Sequence, residues 1–165
     1  MKLKPILIHG NNLKPFRFPD GFVLVQDTRE QRPLFNSPPE GLEIVTDTLH
    51  QGDYSIRGVE DTFCIERKQI SDFYGYIGKE RERTVKKMEQ FKEMQFAGLV
   101  IEASEADILN GFHMSRVSPE TARQALVSFE IRYDVHVYYS KSRHDIRRWV
   151  LDRAIKFYKV MREAH

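Results

Sequence analysis

Cysteine is nearly absent from this chain: Cys64 stands alone among 165 residues, which excludes an internal disulfide and a cysteine-rich zinc site. No stretch is long and apolar enough to span a bilayer, and no secretory signal opens the sequence. No membrane association is therefore expected, and a cytoplasmic, reducing setting is (nucleoid-associated, or host cytoplasm for a viral protein). Charge of one sign is also missing. Lys and Arg number 26 against 24 Asp and Glu, a formal net charge of +2, so no global field advertises a polyanionic partner. Any contact with nucleic acid must come from local clusters of cations. No phosphate-binding P-loop and no dinucleotide fingerprint is present, so no nucleotide cofactor is expected. None of the six histidines has the paired helical spacing of a zinc site.

The length suits one domain with its own core. Residues 1–20 carry Pro5, Pro15, Pro19 and Asn11-Asn12 and read as an extended lead-in. Residues 21–165 read as a single domain. Phe22-Val23-Leu24-Val25 is a buried strand by its apolar run. Leu42 to Thr46 alternates and predicts a half-buried strand. Tyr54-Ser55-Ile56 and Phe63-Cys64-Ile65-Glu66 predict hairpin arms around Gly58. Ile70 to Met94 has a helical pattern with Phe73, Ile77, Val85, Met88 and Phe91 inward, interrupted at Gly75 and Gly78. Leu99 to Glu102 is another buried strand. Ser118-Pro119-Glu120 starts a helix with a serine cap and a proline in the first turn. Val135 to Tyr139 is a β-branched and aromatic strand. From Ser142 a last helix buries Ile146, Trp149, Val150, Ala154, Phe157 and Met161. This order predicts an α/β fold, a mixed central sheet flanked by helices.

The chemistry concentrates at predicted strand ends. Side chains alternate along a strand, so Glu66 and Lys68 share one side and Arg67 points away. A carboxylate beside an ammonium suits metal-assisted hydrolysis: the acid binds Mg²⁺, and the lysine orients or activates water. A second carboxylate is needed, and Asp53, following Gly52 on the preceding arm, is the candidate. An acid-x-lysine pair alone also fits a structural ion pair. Charges ending an apolar strand are costly unless they have partners or a task.

Gly52-Asp53, a short hairpin, then Glu66-Arg67-Lys68-Gln69-Ile70-Ser71-Asp72 resembles the Gly-Asp…Glu-Arg-Lys-x-x-x-Asp signature of XPF-type structure-specific endonucleases. Those enzymes belong to the wider restriction-endonuclease-like, PD-(D/E)XK fold. Asp27-Thr28-Arg29-Glu30 resembles that family's Asp-x-Arg-Glu strand end, Arg81 falls where it carries a further arginine, and Leu99 to Glu102 resembles its next core strand. The sequence contains no helix–hairpin–helix pair, so the likeness is to a stand-alone bacterial or phage form.

The resemblance implies a DNA endonuclease using Mg²⁺ or Mn²⁺ on branched, flapped or distorted DNA. Asp27, Asp53 and Glu66 would be metal ligands, and Lys68 would position the water. Arg29 and Arg67 would steady the site or meet phosphate, and Asp72 would hold one of these cations. Lys79, Arg81, Arg83, Lys86 and Lys87 form a basic stretch with interleaved acids. It reads either as a phosphate-binding face, with Arg81, Arg83 and Lys86 the candidates, or as a solvated helix surface. Arg143, Arg147, Arg148 and Arg153 read as solvated. The resemblance also implies a homodimer, with Phe129, Trp149 and Phe157 as contact residues or plain core. A non-catalytic DNA-binding or scaffold subunit is the rival reading. Against it, Asp27, Asp53, Glu66, Lys68 and Asp72 are all present.

Overall fold

The computed structural model of the chain describes residues 14–165, so Pro5 and Asn11-Asn12 of the expected lead-in lie outside it. The described residues form one sheet of six strands: β1 (Val23–Asp27), β2 (Glu43–Asp47), β3 (Tyr54–Ile56), β4 (Phe63–Lys68), β5 (Phe96–Ile101) and β6 (Val135–Tyr139). Their spatial order is β2-β1-β3-β4-β5-β6. β1 runs parallel to β2 and antiparallel to β3, and β3 is antiparallel to β4. β4, β5 and β6 are mutually parallel, so their C-terminal ends share one edge of the sheet. The α/β class and mixed sheet are those expected.

Alternation along β4 splits the interior in two. Phe63 and Ile65 face one core with Leu24, Tyr54 and Ile56, closed by Ile146, Trp149, Val150 and Ala154 of helix α5 (Arg143–Glu163). Cys64 faces the other core with Leu99 and Ile101 of β5. That side is covered by helices α1 (Ile70–Ile77), α2 (Arg81–Lys92), α3 (Glu105–Leu109) and α4 (Pro119–Tyr133). Phe129 and Trp149 are buried in these cores and Phe157 packs against one of them, so none is an open dimer contact.

Three local expectations need correction. The helical stretch breaks only at Gly78; Gly75 stays inside α1. A Cβ on Gly78 would stand 3.0 Å from the Tyr74 carbonyl oxygen and from Val117, so the chain turns there without room for a side chain. On α2 the inward position belongs to Thr84, while Val85 is exposed, because restarting after the break resets the helical phase. Helix α3 was not anticipated. Its reciprocal cap between Ser104 and Asp107 is legible, but its one buried apolar residue, Ile108, leaves no period to read.

Gly98 in β5 marks where α5 meets the sheet. An added Cβ would lie 3.0 Å from Trp149 Cη2 and 3.2 Å from Ile65 Cγ1. Trp149 is fixed from above by Arg153, whose guanidinium sits 4.2 Å over its ring, and by Tyr138 stacked at 5.5 Å. Gly98→Ala is expected to destabilise the fold by about 1–3 kcal/mol through overpacking. Urea denaturation measures this, and an unchanged midpoint would mean that Trp149 is free to move.

Candidate active site

β4 leaves the core carrying three charges in a row, and the alternation sends them to opposite faces. Glu66 continues the side of Cys64, where it is 4% exposed. Tyr76 of α1 donates its hydroxyl hydrogen to Glu66 Oε2. Lys87 of α2 donates from Nζ to both carboxylate oxygens, at 3.0 and 3.1 Å. Lys68 lies on the same face, its Nζ 4.2 Å from the centre of the Tyr76 ring. One aromatic ring therefore holds the acid by its edge and the ammonium by its face.

Gly52 delivers the second carboxylate. It has φ +73, and a Cβ there would meet Cys64 Cβ and the Ile65 carbonyl oxygen at 3.0 Å. With no side chain, the loop closes onto β4: the Asp53 amide donates to the Ile65 carbonyl at 2.9 Å, and the Asp27 amide to the Asp53 carbonyl at 2.8 Å. Asp53 Oδ2 then accepts from the Arg67 amide at 2.8 Å. Burial, and next the negative charge of Glu66, push the Asp53 carboxyl up to about 7, against the pull of the Arg67 amide and Lys68.

Asp27, by contrast, is saturated. Its oxygens accept from the Arg29 Nε at 2.8 Å, Arg29 Nη2 at 3.2 Å, the Arg29 amide at 3.1 Å and the Leu49 amide at 2.8 Å. Burial works to raise its pKa, but the Arg29 guanidinium and these amides outweigh it and hold Asp27 below the usual carboxylate range.

On the opposite face Arg67 is enclosed. Glu30 takes its Nε and Nη2 in a bidentate pair at 3.0 and 2.6 Å, and Glu102 stands 3.4 Å from Nη1. Glu102 also pairs with Arg143 at the start of α5, at 2.5 Å. Arg143 goes on to the Arg32 and Pro33 carbonyls at 3.0 and 2.8 Å. The chain Glu30–Arg67–Glu102–Arg143 ties the segment after β1 to the ends of β4, β5 and the start of α5.

Of the residues singled out in the sequence, the structure gathers Asp53, Glu66 and Lys68 on one face, with Asp27 and Arg29 alongside at the end of β1. Among the described residues no three His, Cys, Asp or Glu side chains converge as a ready-made metal cage. The acids that come together beside Lys68 are Asp53 and Glu66, the latter holding Tyr76 and Lys87. That pair fits Mg²⁺, which takes one or two carboxylates and keeps several waters. Asp72 is exposed in the first turn of α1 and, among the described residues, holds no cation: Arg67 is claimed by Glu30 and Glu102, and Arg29 by Asp27. Arg81, Arg83 and Lys86 are exposed on α2, outside the Glu66 contact.

Tyr76 and Lys87 were not singled out for the site. Tyr76 reads as core in an aromatic run, and Lys87 as one of several cations. The clue was spacing: Thr84, Lys87, Met88 and Phe91 follow one helical stripe, which puts a lysine on the buried side. Glu30, three residues beyond β1, and Glu102, one beyond β5, are invisible as partners of Arg67 because they meet it only across the sheet.

Residues 26–152 match the ERCC4 domain. The fold is similar to a structure of XPF from Aeropyrum pernix, at 19% identity and TM-score 0.55, over 72% of this chain and 53% of that one. It is also similar to XPF from Aeropyrum pernix in complex with DNA, at 18% identity and TM-score 0.61, over 83% and 64%. The chain thus spans between half and two thirds of the length of these structures. Among curated proteins none matches significantly.

The raised Asp53 carboxyl has a stability consequence. Unfolded, it releases its proton near pH ~3.9; folded, near 7. The metal-free fold binds the extra proton, so it loses stability as pH rises from about 4 through about 7, and the loss is complete above that. Asp53→Asn abolishes this penalty and keeps an oxygen for the Arg67 amide. The variant is expected to exceed the wild type by on the order of 2 kcal/mol at pH 8, with the gap closing near pH 4. Thermal unfolding in EDTA across that range tests it; a gap that does not change with pH would refute the assignment.

Proposed function

The chain belongs to the ERCC4-domain family, and on that premise we propose that it is a divalent-metal-dependent endonuclease hydrolysing phosphodiester bonds in DNA. The observation that carries this reading is the pairing of Asp53 with Glu66, flanked by Lys68, at the end of β4.

Asp53 and Glu66 would hold Mg²⁺ or Mn²⁺, which when bound supplies positive charge to the scissile phosphate and the leaving oxygen. The chain's own residues do the rest. Asp53, fixed by the Arg67 amide, and Glu66, fixed by Tyr76, present their carboxylates in a set geometry. Lys68, seated on the Tyr76 ring, offers its ammonium hydrogens to orient the attacking water. Arg67 is a positioning residue: its guanidinium anchors β4 so that Glu66 and Lys68 emerge at a fixed height. Asp27 and Arg29 form a closed pair beside the acids; Asp27 would meet the metal through water or after release from Arg29. Arg81, Arg83 and Lys86, exposed on α2, suit sequence-independent phosphate contacts. The DNA-bound structure among the similar folds supports DNA as the substrate. A preference for branched, flapped or distorted DNA rests on the family resemblance.

A homodimer is part of the same proposal. Its contact is the outer face of α4, where Ile131 is 81% and Val127 43% exposed beside Phe129, rather than the buried Trp149 of α5. These two line a groove of about 680 Å³ shared with Tyr76, Arg81, Thr84 and Val85. Light scattering is expected to show a dimer that Ile131→Glu converts to monomer; a wild-type monomer at high concentration would remove this part.

The central test is cleavage of flap, fork, duplex and single-stranded DNA with Mg²⁺, Mn²⁺ or EDTA. The wild type is expected to cut at least one substrate only with metal. Asp53→Ala and Lys68→Ala are expected to lower the rate by about 10²–10³. Wild-type protein that cuts nothing under any of these conditions would favour the scaffold-subunit reading instead.

A further inference from the structure

A second surface of the protein is far more basic than the chain as a whole. Between α5 and residues 14–17 and 37–40 runs a groove of about 940 Å³. Lys14, Arg17, Arg147, Arg148, Lys156 and Lys159 line it, against the acids Glu40 and Asp152. Six cations and two acids leave +4, twice the formal charge of the whole chain. Arg148 is engaged by Asp145 at 3.0 Å and Arg147 by the Leu34 carbonyl at 3.2 Å. Lys156 and Lys159 are exposed and, among the described residues, pair with no acid. The floor between these cations is apolar: half-buried Phe16, with the core residues Leu151 and Ile155 beneath it.

The groove also has a direction. Along α5 it extends from His144 to Lys159, a length of about 22 Å at the helical rise. His144 follows Arg143, which pairs with Glu102, which stands against Arg67 beside Glu66. One end of the groove therefore lies at the C-terminal ends of β4 and β5, the end of the sheet that carries Asp53, Glu66 and Lys68, on the face opposite Glu66 and Lys68.

We propose that this groove binds an unpaired DNA strand leading to or from the cleavage site. A duplex turns its phosphates outward and hides its bases, so an apolar floor gains nothing from it. An unpaired strand offers phosphates to a basic rim and base faces to an apolar floor. The choice of DNA as the polyanion rests on the nuclease reading above; the charge and shape of the groove do not.

Binding is measured in EDTA, without cleavage, by fluorescence anisotropy of a labelled single-stranded oligonucleotide over a salt series. Lys156→Glu/Lys159→Glu is expected to weaken binding about tenfold or more and to shrink the slope of log K against log salt by more than about 1.4, the share of two phosphate contacts on a single strand. Lys156→Gln/Lys159→Gln should fall between that variant and the wild type. Both positions are exposed on α5, and thermal unfolding confirms that the variants fold. A blunt duplex should lose less affinity than the single strand. Unchanged single-strand binding would overturn the proposal. So would an equal loss for duplex, or a groove that binds only an acidic peptide. Failure of cleavage by wild-type protein would remove the nuclease reading and leave this measurement standing.

Discussion

Everything about the candidate site follows from one strand leaving the core with its charges in place. A central strand buried on both faces has no solvent in which to dissolve a carboxylate, a guanidinium and an ammonium placed in succession. Each must meet an opposite charge or a hydrogen-bond partner on its own side of the sheet. On one side Glu66 meets Tyr76 and Lys87, and on the other Arg67 meets Glu30 and Glu102. These partners come from α1, α2, the segment after β1 and the end of β5. The period-two geometry of β4 thus recruits helices to one face and loops to the other.

The two solutions are unequal. Around Arg67 the opposite charges are in surplus: two carboxylates hold one guanidinium, and Arg143 restores the balance at the start of α5. Around Glu66 the helices supply the Lys87 ammonium and the Tyr76 hydroxyl, and Asp53 adds a second carboxylate beside Lys68. Burial and the Glu66 charge leave that carboxyl near 7. Holding the Asp53 carboxyl beside Glu66 costs the protein stability at neutral and higher pH.

Legibility in the sequence divides along the same line. The strands, the hairpin, the capped α4 and the long α5 could be read because each repeats a pattern over several residues. Asp53, Glu66 and Lys68 could be placed because Gly52 and the alternation of β4 act locally. What escaped depends on distant pairing. Nothing near Glu30 or Glu102 says that both turn onto Arg67, and nothing near Asp72 says that it is left in solvent because the available arginines are already taken. Tyr76 and Lys87 lie between these extremes. Their helical stripe was present, but a lysine among cations and a tyrosine among aromatics each had a simpler reading.

α5 gives this division a structural purpose. It is a core helix through Ile146, Trp149, Val150 and Ala154, so its position relative to the sheet is set by packing against Gly98 and Ile65. Its first residue, Arg143, is a member of the matched ion chain. Its outer surface, with Lys156 and Lys159, belongs to the basic groove. A helix anchored at one end to the strand that bears the acids cannot shift its cations without disturbing Arg67, whose own backbone amide holds Asp53. The distance between the acids and the basic groove is therefore fixed by the core rather than by a loop. A strand lying in that groove would be presented to the acids at a constant reach, which would make the position of the cut a property of the fold.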